Sequence, residues 1–232
     1  MRSRVRLLTE HVALLGHPVA ESLSPRMQNA AFAAAGLDWR YEAFDVRDVA
    51  AAVDALVTLG FVGANVTIPH KRAAAVLCDE ADGDAVNTLV WRDGRLFGHN
   101  TDREILAGIE ATRACLIGAG GAAGALAPAF PADTRRFCRA SDWPPDATGC
   151  DLIVNATPVR DQVLVELRPE QTVVDLAYGP EDTVLVRAAR AAGCTVIDGR
   201  EALVRQGAAS FRLWTGVEAP LGAMRAAVGL PA

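Results

Sequence analysis

The run Ala114-Cys115-Leu116-Ile117 passes without a break into Gly118-Ala119-Gly120-Gly121-Ala122-Ala123-Gly124. A short aliphatic strand that empties into G-x-G-x-x-G/A and then into a small-residue helix has the layout of a dinucleotide-binding turn. Gly118 permits the tight turn, Gly120 lets the main chain approach a pyrophosphate, and Ala123 lets the helix pack close on the strand. The pyrophosphate would sit on exposed N–H groups at the positive end of that helix. A merely tight strand-to-helix turn would need only one of these glycines.

The next strand, Arg135 to Arg139, bears on which dinucleotide. An NAD site wants an acid about 20 residues after the first glycine, to hold the ribose hydroxyls. That window holds Phe137, Cys138 and Arg139, with Arg135 and Arg136 upstream and no acid until Asp142. A guanidinium can grip a 2′-phosphate that a carboxylate would repel. NADP is therefore the favoured cofactor, with Arg139 meeting its 2′-phosphate; the alternative is that Arg139 is a solvated charge at the end of the strand.

Around this motif, aliphatic runs alternate with Ala-rich helical stretches from end to end, which predicts an α/β fold with a mostly parallel sheet. Expected strands are Val12–Leu15, Tyr41–Val46 and Ala64–Ile68, then a hairpin turning at Asp93-Gly94. Ser24-Pro25 reads as an N-cap and first helical residue. A helix is expected from Arg103 to about Ala111. After the glycine loop come strands at Asp151–Asn155, Thr172–Leu176 and Cys194–Ile197. Two closing helices lie near Glu201–Trp214 and Glu218–Ala227, with Pro220 in the first turn of the latter. The pattern restarts near residue 102 and returns near 206, so residues 1–102 with 207–232 form one predicted domain and 103–206 another. A chain of 232 residues, 51% apolar, has material for two small cores.

Composition excludes several classes. The net charge of −5 comes without long runs of either sign, which argues against nucleic acid. The basic-then-apolar opening MRSRVRLL stops at Thr9-Glu10-His11, before a signal-peptide core or a membrane span forms. Five scattered cysteines with no C-x-x-C fit neither a disulfide framework nor a zinc site, and no metal is expected. A cytoplasmic location follows from that pattern.

Polar residues gather at the expected strand ends: Ser22 and Ser24, Asn65 and Thr67 with Lys71, Asn87, then Asn100-Thr101-Asp102. Ligands of open α/β sheets bind outside the carboxyl ends of strands, and a small polyol acid needs hydroxyl and amide partners in such number. An ammonium in the first turn of a helix meets the positive end of the helix dipole, which eases release of its proton. Lys71 could thus give or take a proton during carbonyl/alcohol interconversion, with Asp102 sharing the proton network. Spacing alone leaves open an ordinary surface lysine beside a helix-starting aspartate.

Specific segments narrow the choice. Gly16-His17-Pro18-Val19 with Ser22-Leu23-Ser24-Pro25-Arg26-Met27 resembles the opening signature of the shikimate dehydrogenase family. Asn65-Val66-Thr67-Ile68-Pro69-His70-Lys71, Ala85-Val86-Asn87-Thr88-Leu89 and Gly98-His99-Asn100-Thr101-Asp102 resemble its next segments, in order. Asn155-Ala156-Thr157-Pro158, Asp175 with Tyr178, and Leu203-Val204-Arg205-Gln206 are similar too, so the resemblance covers nearly the whole chain. It implies an N-terminal α/β substrate domain, a Rossmann-like NADP domain, and C-terminal helices returning to the first. It also implies NADPH-dependent reduction of 3-dehydroshikimate to shikimate, on the route to aromatic amino acids. Lys71 would be the acid/base and Asp102 its partner. Ser22 and Ser24 would bind the substrate carboxylate, helped by Tyr178, while Thr67, Asn87, Asp102 and Gln206 hold hydroxyls. Gly118, Gly120, Gly121, Ala122 and Ala123 would cradle the pyrophosphate, with Thr157 also on the cofactor and Gly199 by the nicotinamide.

The chain departs from the family pattern mainly in its second half. Gln28 stands where histidine is usual, Cys138-Arg139-Ala140 keeps only the arginine of Asn-Arg-Thr, and a helix expected after it is replaced by Ser141–Gly149. Val159-Arg160-Asp161 replaces the usual x-Gly-Met. A quinate/shikimate paralogue using NAD, or a shikimate-binding protein with little hydride transfer, are the competing expectations. A homodimer is left open.

Overall fold

A computed structural model describes residues 9–232 of the protein; the basic opening MRSRVRLL lies outside them. In chain order the elements are β1 (Glu10–Gly16), α1 (Ser24–Ala34), β2 (Trp39–Asp45), α2 (Val49–Thr58), β3 (Gly63–Val66), α3 (Lys71–Leu77), β4 (Glu80–Ala81), β5 (Thr88–Arg92) and β6 (Arg95–His99). A 3-10 turn at Thr101–Leu106 precedes β7 (Arg113–Ile117), α4 (Gly121–Leu126), β8 (Asp133–Phe137), β9 (Leu152–Asn155), β10 (Thr172–Asp175), α5 (Val184–Ala191) and β11 (Thr195–Ile197). Helices α6 (Gly199–Thr215) and α7 (Leu221–Ala227) close the chain. The chain divides into two compact units, one holding the described residues up to Thr101 with Gly207–Ala232, the other Asp102–Gln206.

The first unit carries a six-stranded sheet in the order β2-β1-β3-β5-β6-β4. Strands β1, β2 and β3 are parallel, while β5 and β6 form the antiparallel hairpin expected at Asp93-Gly94, where both residues have positive φ (54° and 73°). Central β1 buries Val12, Ala13, Leu14 and Leu15 alike, the mark of a strand covered on both faces. On one face Ala13 and Leu15 pack with Val49, Val53 and Leu56, the apolar stripe of α2. The side chain of Asp48 caps α2, accepting from the Ala50 and Ala51 N–H groups. Phe211 of α6 stacks on Phe32 of α1 at 5.5 Å, and the Trp214 Nε1–H donates to the Leu89 carbonyl at 3.0 Å. The latter indole lies directly where a side chain on Gly63 would be, which explains that glycine.

The second unit is a parallel five-stranded sheet, β11-β10-β9-β7-β8. Its strands alternate between two cores. Ala114, Leu116, Leu152 and Val154 face Ala123 and Leu126 of α4, with Ile105 and Ala202. Cys115, Ile117, Ile153 and Val173 face Leu185 and Ala189 of α5. No helix joins β8 to β9 or β9 to β10; instead Ala147, Cys150, Leu164 and Val165 from the connecting loops fill that second face.

Three local expectations are corrected. Ser24 is the first helical residue of α1 rather than its cap; Leu23 precedes it in helical geometry, and Ser22 Oγ accepts the Ser24 N–H at 3.2 Å. The helix expected at 103–111 is only a 3-10 turn, because Gly108 adopts φ 74° and stops it. Pro220 occupies the cap position of α7, not its first turn. The first sheet also has a two-residue strand, β4, parallel to β6, which no pattern predicted. All five cysteines are free. Among the described residues no helix is long and apolar enough to cross a membrane, and no cluster of three metal-ligating side chains occurs.

Candidate active site

In the first unit the polar residues sit at or just beyond the carboxyl ends of β1 and β3, and at the open end of the β5–β6 hairpin, before Thr88 and after His99. Gly16 ends β1, and a Cβ there would strike the Thr67 methyl, so glycine lets the loop after β3 close over β1. That closure is held by the Thr67 N–H donating to the Leu15 carbonyl at 2.8 Å and the His17 N–H to the Ile68 carbonyl at 3.0 Å. Lys71, half-buried, is the first residue of α3. Its carbonyl accepts the Val86 N–H at 3.1 Å, which fastens the start of α3 beside Asn87.

Asn87 is buried and its orientation is fixed. Oδ1 accepts from the Thr101 N–H (2.8 Å), the Thr101 hydroxyl (3.0 Å) and the Thr88 hydroxyl (3.1 Å). Three donors on one atom identify it as the oxygen and turn the amide nitrogen the other way. Behind it, Asn65 Nδ2 donates to the Asn87 carbonyl, to Thr88 Oγ1 and to Ser210 Oγ, at 2.9–3.0 Å. Tyr41 closes the network, its hydroxyl donating to Asn65 Oδ1 at 2.8 Å. The expected site set lacked Ser210 and Tyr41. Ser210 lies 122 residues from Thr88, its 2.7 Å partner, and no sequence spacing signals such a contact.

Ser22 and Ser24 lie together at the start of α1, Ser24 buried and Ser22 half-buried. Gln28 is buried and donates to the Gly207 carbonyl at 2.9 Å, a strut between α1 and α6. Asp102, buried, follows Thr101 in the 3-10 turn and opens the second unit. Gln206, in α6, donates to the Leu203 carbonyl at 3.0 Å.

In the second unit the expected cofactor residues line the carboxyl edge of the sheet. Gly118 has φ 121°, and a Cβ there would meet the Ala156 carbonyl oxygen at 3.0 Å and the Thr157 methyl at 3.3 Å. Gly118 N–H donates to the Phe137 carbonyl at 2.8 Å, so the ends of β7, β8 and β9 converge. By contrast, nothing lies within 4 Å of a Cβ built on Gly120 or Gly121, whose main chain faces open space. Ala122 is half-buried, and Ala123 is packed into the core under the strand. Thr157 is held by Asn155, whose Oδ1 accepts its hydroxyl at 2.6 Å and its N–H at 3.0 Å. Asn155 in turn donates to the buried Asp175 at 2.9 Å. Burial pushes the Asp175 carboxyl up, against hydrogen bonds from Thr183, Ala177 and Asn155. Just past Asp175, Tyr178 shares a shallow pocket with Gly199, Asp182, Thr183, Asp198 and Arg200. A side chain on Gly199 would meet the Ala177 carbonyl oxygen at 2.6 Å. Arg139, exposed, stands two residues beyond β8 with its guanidinium over the Trp143 ring.

Known proteins share this layout. The family model described as the shikimate dehydrogenase substrate binding domain matches residues 14–89, and the shikimate 5'-dehydrogenase C-terminal domain matches 199–228. A curated relative from Moorella thermoacetica, named shikimate dehydrogenase (NADP(+)), is 40% identical over 274 residues, covering 95% of this chain and 93% of its own. Since those 274 aligned positions exceed the 232 residues here, about forty or more positions of the relative have no counterpart in this chain. Among solved structures, the Thermus thermophilus shikimate 5-dehydrogenase in complex with NADP(H) and shikimate is 34% identical, with a TM-score of 0.79 over 95% of this chain and 98% of that one. A 5-ketofructose reductase from Gluconobacter sp. strain CHM43 is 28% identical, with a TM-score of 0.84 over 96% and 98%. Identity of 40% across nearly the full length settles the grouping: the chain belongs to the shikimate dehydrogenase family.

Proposed function

We propose that this chain catalyses the reversible, NADP-dependent reduction of 3-dehydroshikimate to shikimate. The observation that carries the reading is the polar cluster around Asn87, fixed by Thr101 and Thr88, with the start of α3 at Lys71 fastened beside it through Val86. A ring bearing several hydroxyls needs partners of fixed direction, and a clamped amide provides one without ordering cost on binding.

The residues at the carboxyl edge of the second sheet fit NADP. Gly118 makes the turn, Gly120 and Gly121 leave main chain open to a pyrophosphate, and Arg139 supplies a cation at the end of β8, where no acid stands before Asp142. Ala122, Ala123 and Thr157 complete that edge, and Gly199, whose missing side chain lets the start of α6 close on the Ala177 carbonyl, is assigned to the nicotinamide end. Bound NADPH supplies the hydride. Lys71 is the general acid: its ammonium passes a proton to the oxygen as carbonyl becomes alcohol, and its amine takes one back in the reverse direction. Asp102 partners Lys71 and, with Thr67, Asn87 and Gln206, holds ring hydroxyls. Ser22 and Ser24, with Tyr178, hold the carboxylate.

The test follows reduced-nicotinamide absorbance on mixing the protein with shikimate and NADP+, and compares quinate and NAD+. Turnover with shikimate and NADP+ that exceeds the other pairings is expected. Saturable shikimate binding by calorimetry without turnover under any pairing would make the chain a binding protein instead.

A further inference from the structure

The connection from β8 to β9 runs without helix or strand and carries an exposed indole. Trp143 is 40% exposed, and the Arg139 guanidinium carbon lies 5.4 Å from its ring centroid, within cation–π range. The loop holding this indole is braced on both sides. Before it, the Ser141 N–H donates to the Cys138 carbonyl at 3.1 Å. After it, Pro145 and Ala147 are buried, and Asp146 pairs with Arg135 of β8 at 3.0 Å while accepting the Thr148 N–H at 2.8 Å. The two arginines thus have different partners. Arg135 is neutralised by Asp146, whereas Arg139 has no carboxylate within ion-pair distance among the described residues and rests on the ring.

We propose that Trp143 is a positioning residue for the cofactor's 2′-phosphate, holding the Arg139 guanidinium at the carboxyl end of β8 and so setting the preference for a 2′-phosphorylated dinucleotide. This rests on the NADP reading above. A long, exposed arginine loses rotamer entropy when it grips an anion. An aromatic face that already restrains it lowers that cost while leaving the positive charge intact, which a carboxylate partner would not do.

The test titrates the full chain by calorimetry with 2′,5′-ADP and with 5′-ADP, which lacks the 2′-phosphate. Wild type is expected to prefer 2′,5′-ADP, and Arg139→Ala to abolish the preference. Trp143→Ala is expected to weaken 2′,5′-ADP about two- to fivefold, the range of an exposed cation–π contact, and to leave 5′-ADP unchanged. Trp143→Phe, with a weaker ring, should lose less in the same direction. Equal weakening of both nucleotides by Trp143→Ala overturns the proposal, because the indole would then serve the base or the fold. No preference in wild type overturns the NADP reading itself, and a preference surviving Arg139→Ala removes Arg139 from it. Should Trp143→Ala fail to fold, Trp143→Phe decides: a lowered ratio of affinities supports the role of the ring, and an unchanged ratio overturns it.

Discussion

The side-chain oxygen of Asn87 accepts both the backbone N–H and the hydroxyl of Thr101, at 2.8 and 3.0 Å. The pair ties the start of β5 to the segment after β6, and Ser210 sits behind it, 3.2 Å from the Thr101 hydroxyl. Ser210→Ala removes a group shared by Asn65, Thr88 and Thr101, and leaves buried polar atoms short of a partner. It should cost about 1–3 kcal/mol of stability in urea denaturation. Asn87 would be less firmly aimed, so the KM for shikimate should rise more than kcat falls. An unchanged denaturation midpoint together with an unchanged KM would remove Ser210 from this role.

Lys71→Ala should lower kcat by roughly 10²–10⁴-fold, the span for losing a general acid or base, with little change in shikimate affinity by calorimetry. The main-chain bond from Val86 does not involve the side chain, so the start of α3 should stay in place. A variant retaining near-full turnover would show that the ammonium is not the proton donor.

The layers of this fold are legible in the sequence because their signals are local. Val49, Val53 and Leu56 show the helical spacing of α2, and Asp93-Gly94 marks its hairpin directly. The glycine loop is legible because strand, glycines and helix follow one another directly in the sequence, although the contacts that require Gly118 come from Ala156 and Thr157, beyond β9. What escapes is long-range or patternless. Two-residue β4 is too short to alternate, and the Ser210 hydroxyl finds partners more than a hundred residues away. The filling of one sheet face by Ala147, Cys150, Leu164 and Val165 is equally hidden, because loops carry no period.

Asp151 joins the starts of β7 and β9 by accepting the Thr112 N–H and hydroxyl and the Arg113 N–H, at 2.7–3.0 Å. Desolvation pushes its carboxyl up, but these hydrogen bonds outweigh it and hold the group at about 2, below its usual 3.8. A carboxyl lowered in the folded state stabilises above its unfolded value, and that contribution is lost as pH falls toward the folded one. Asp151→Asn should therefore cost about 1 kcal/mol near neutral pH, a figure reduced for solvent screening. The gap in melting temperature between wild type and variant should narrow as pH drops from about 4 toward 2. A gap independent of pH would mean that the charge contributes nothing.

Gly118 and Gly120 stand two residues apart, yet their alanine variants should fail in different ways. Gly118 has φ 121°, and an added Cβ would press on the Ala156 carbonyl, so Gly118→Ala strains the turn itself. It should lower stability by about 1 kcal/mol or more. Gly120 has φ −80° and ψ −172°, extended geometry open to any residue, and no atom lies within 4 Å of its added Cβ. Gly120→Ala should leave the free energy of unfolding within about 0.5 kcal/mol of wild type. The methyl group would occupy the space assigned to the pyrophosphate, so the KM for NADP should rise about tenfold, a loss of roughly 1.4 kcal/mol of binding. Normal NADP affinity in a stable Gly120→Ala protein would mean that the pyrophosphate does not cross this turn, and the cofactor assignment for the loop would fall with it.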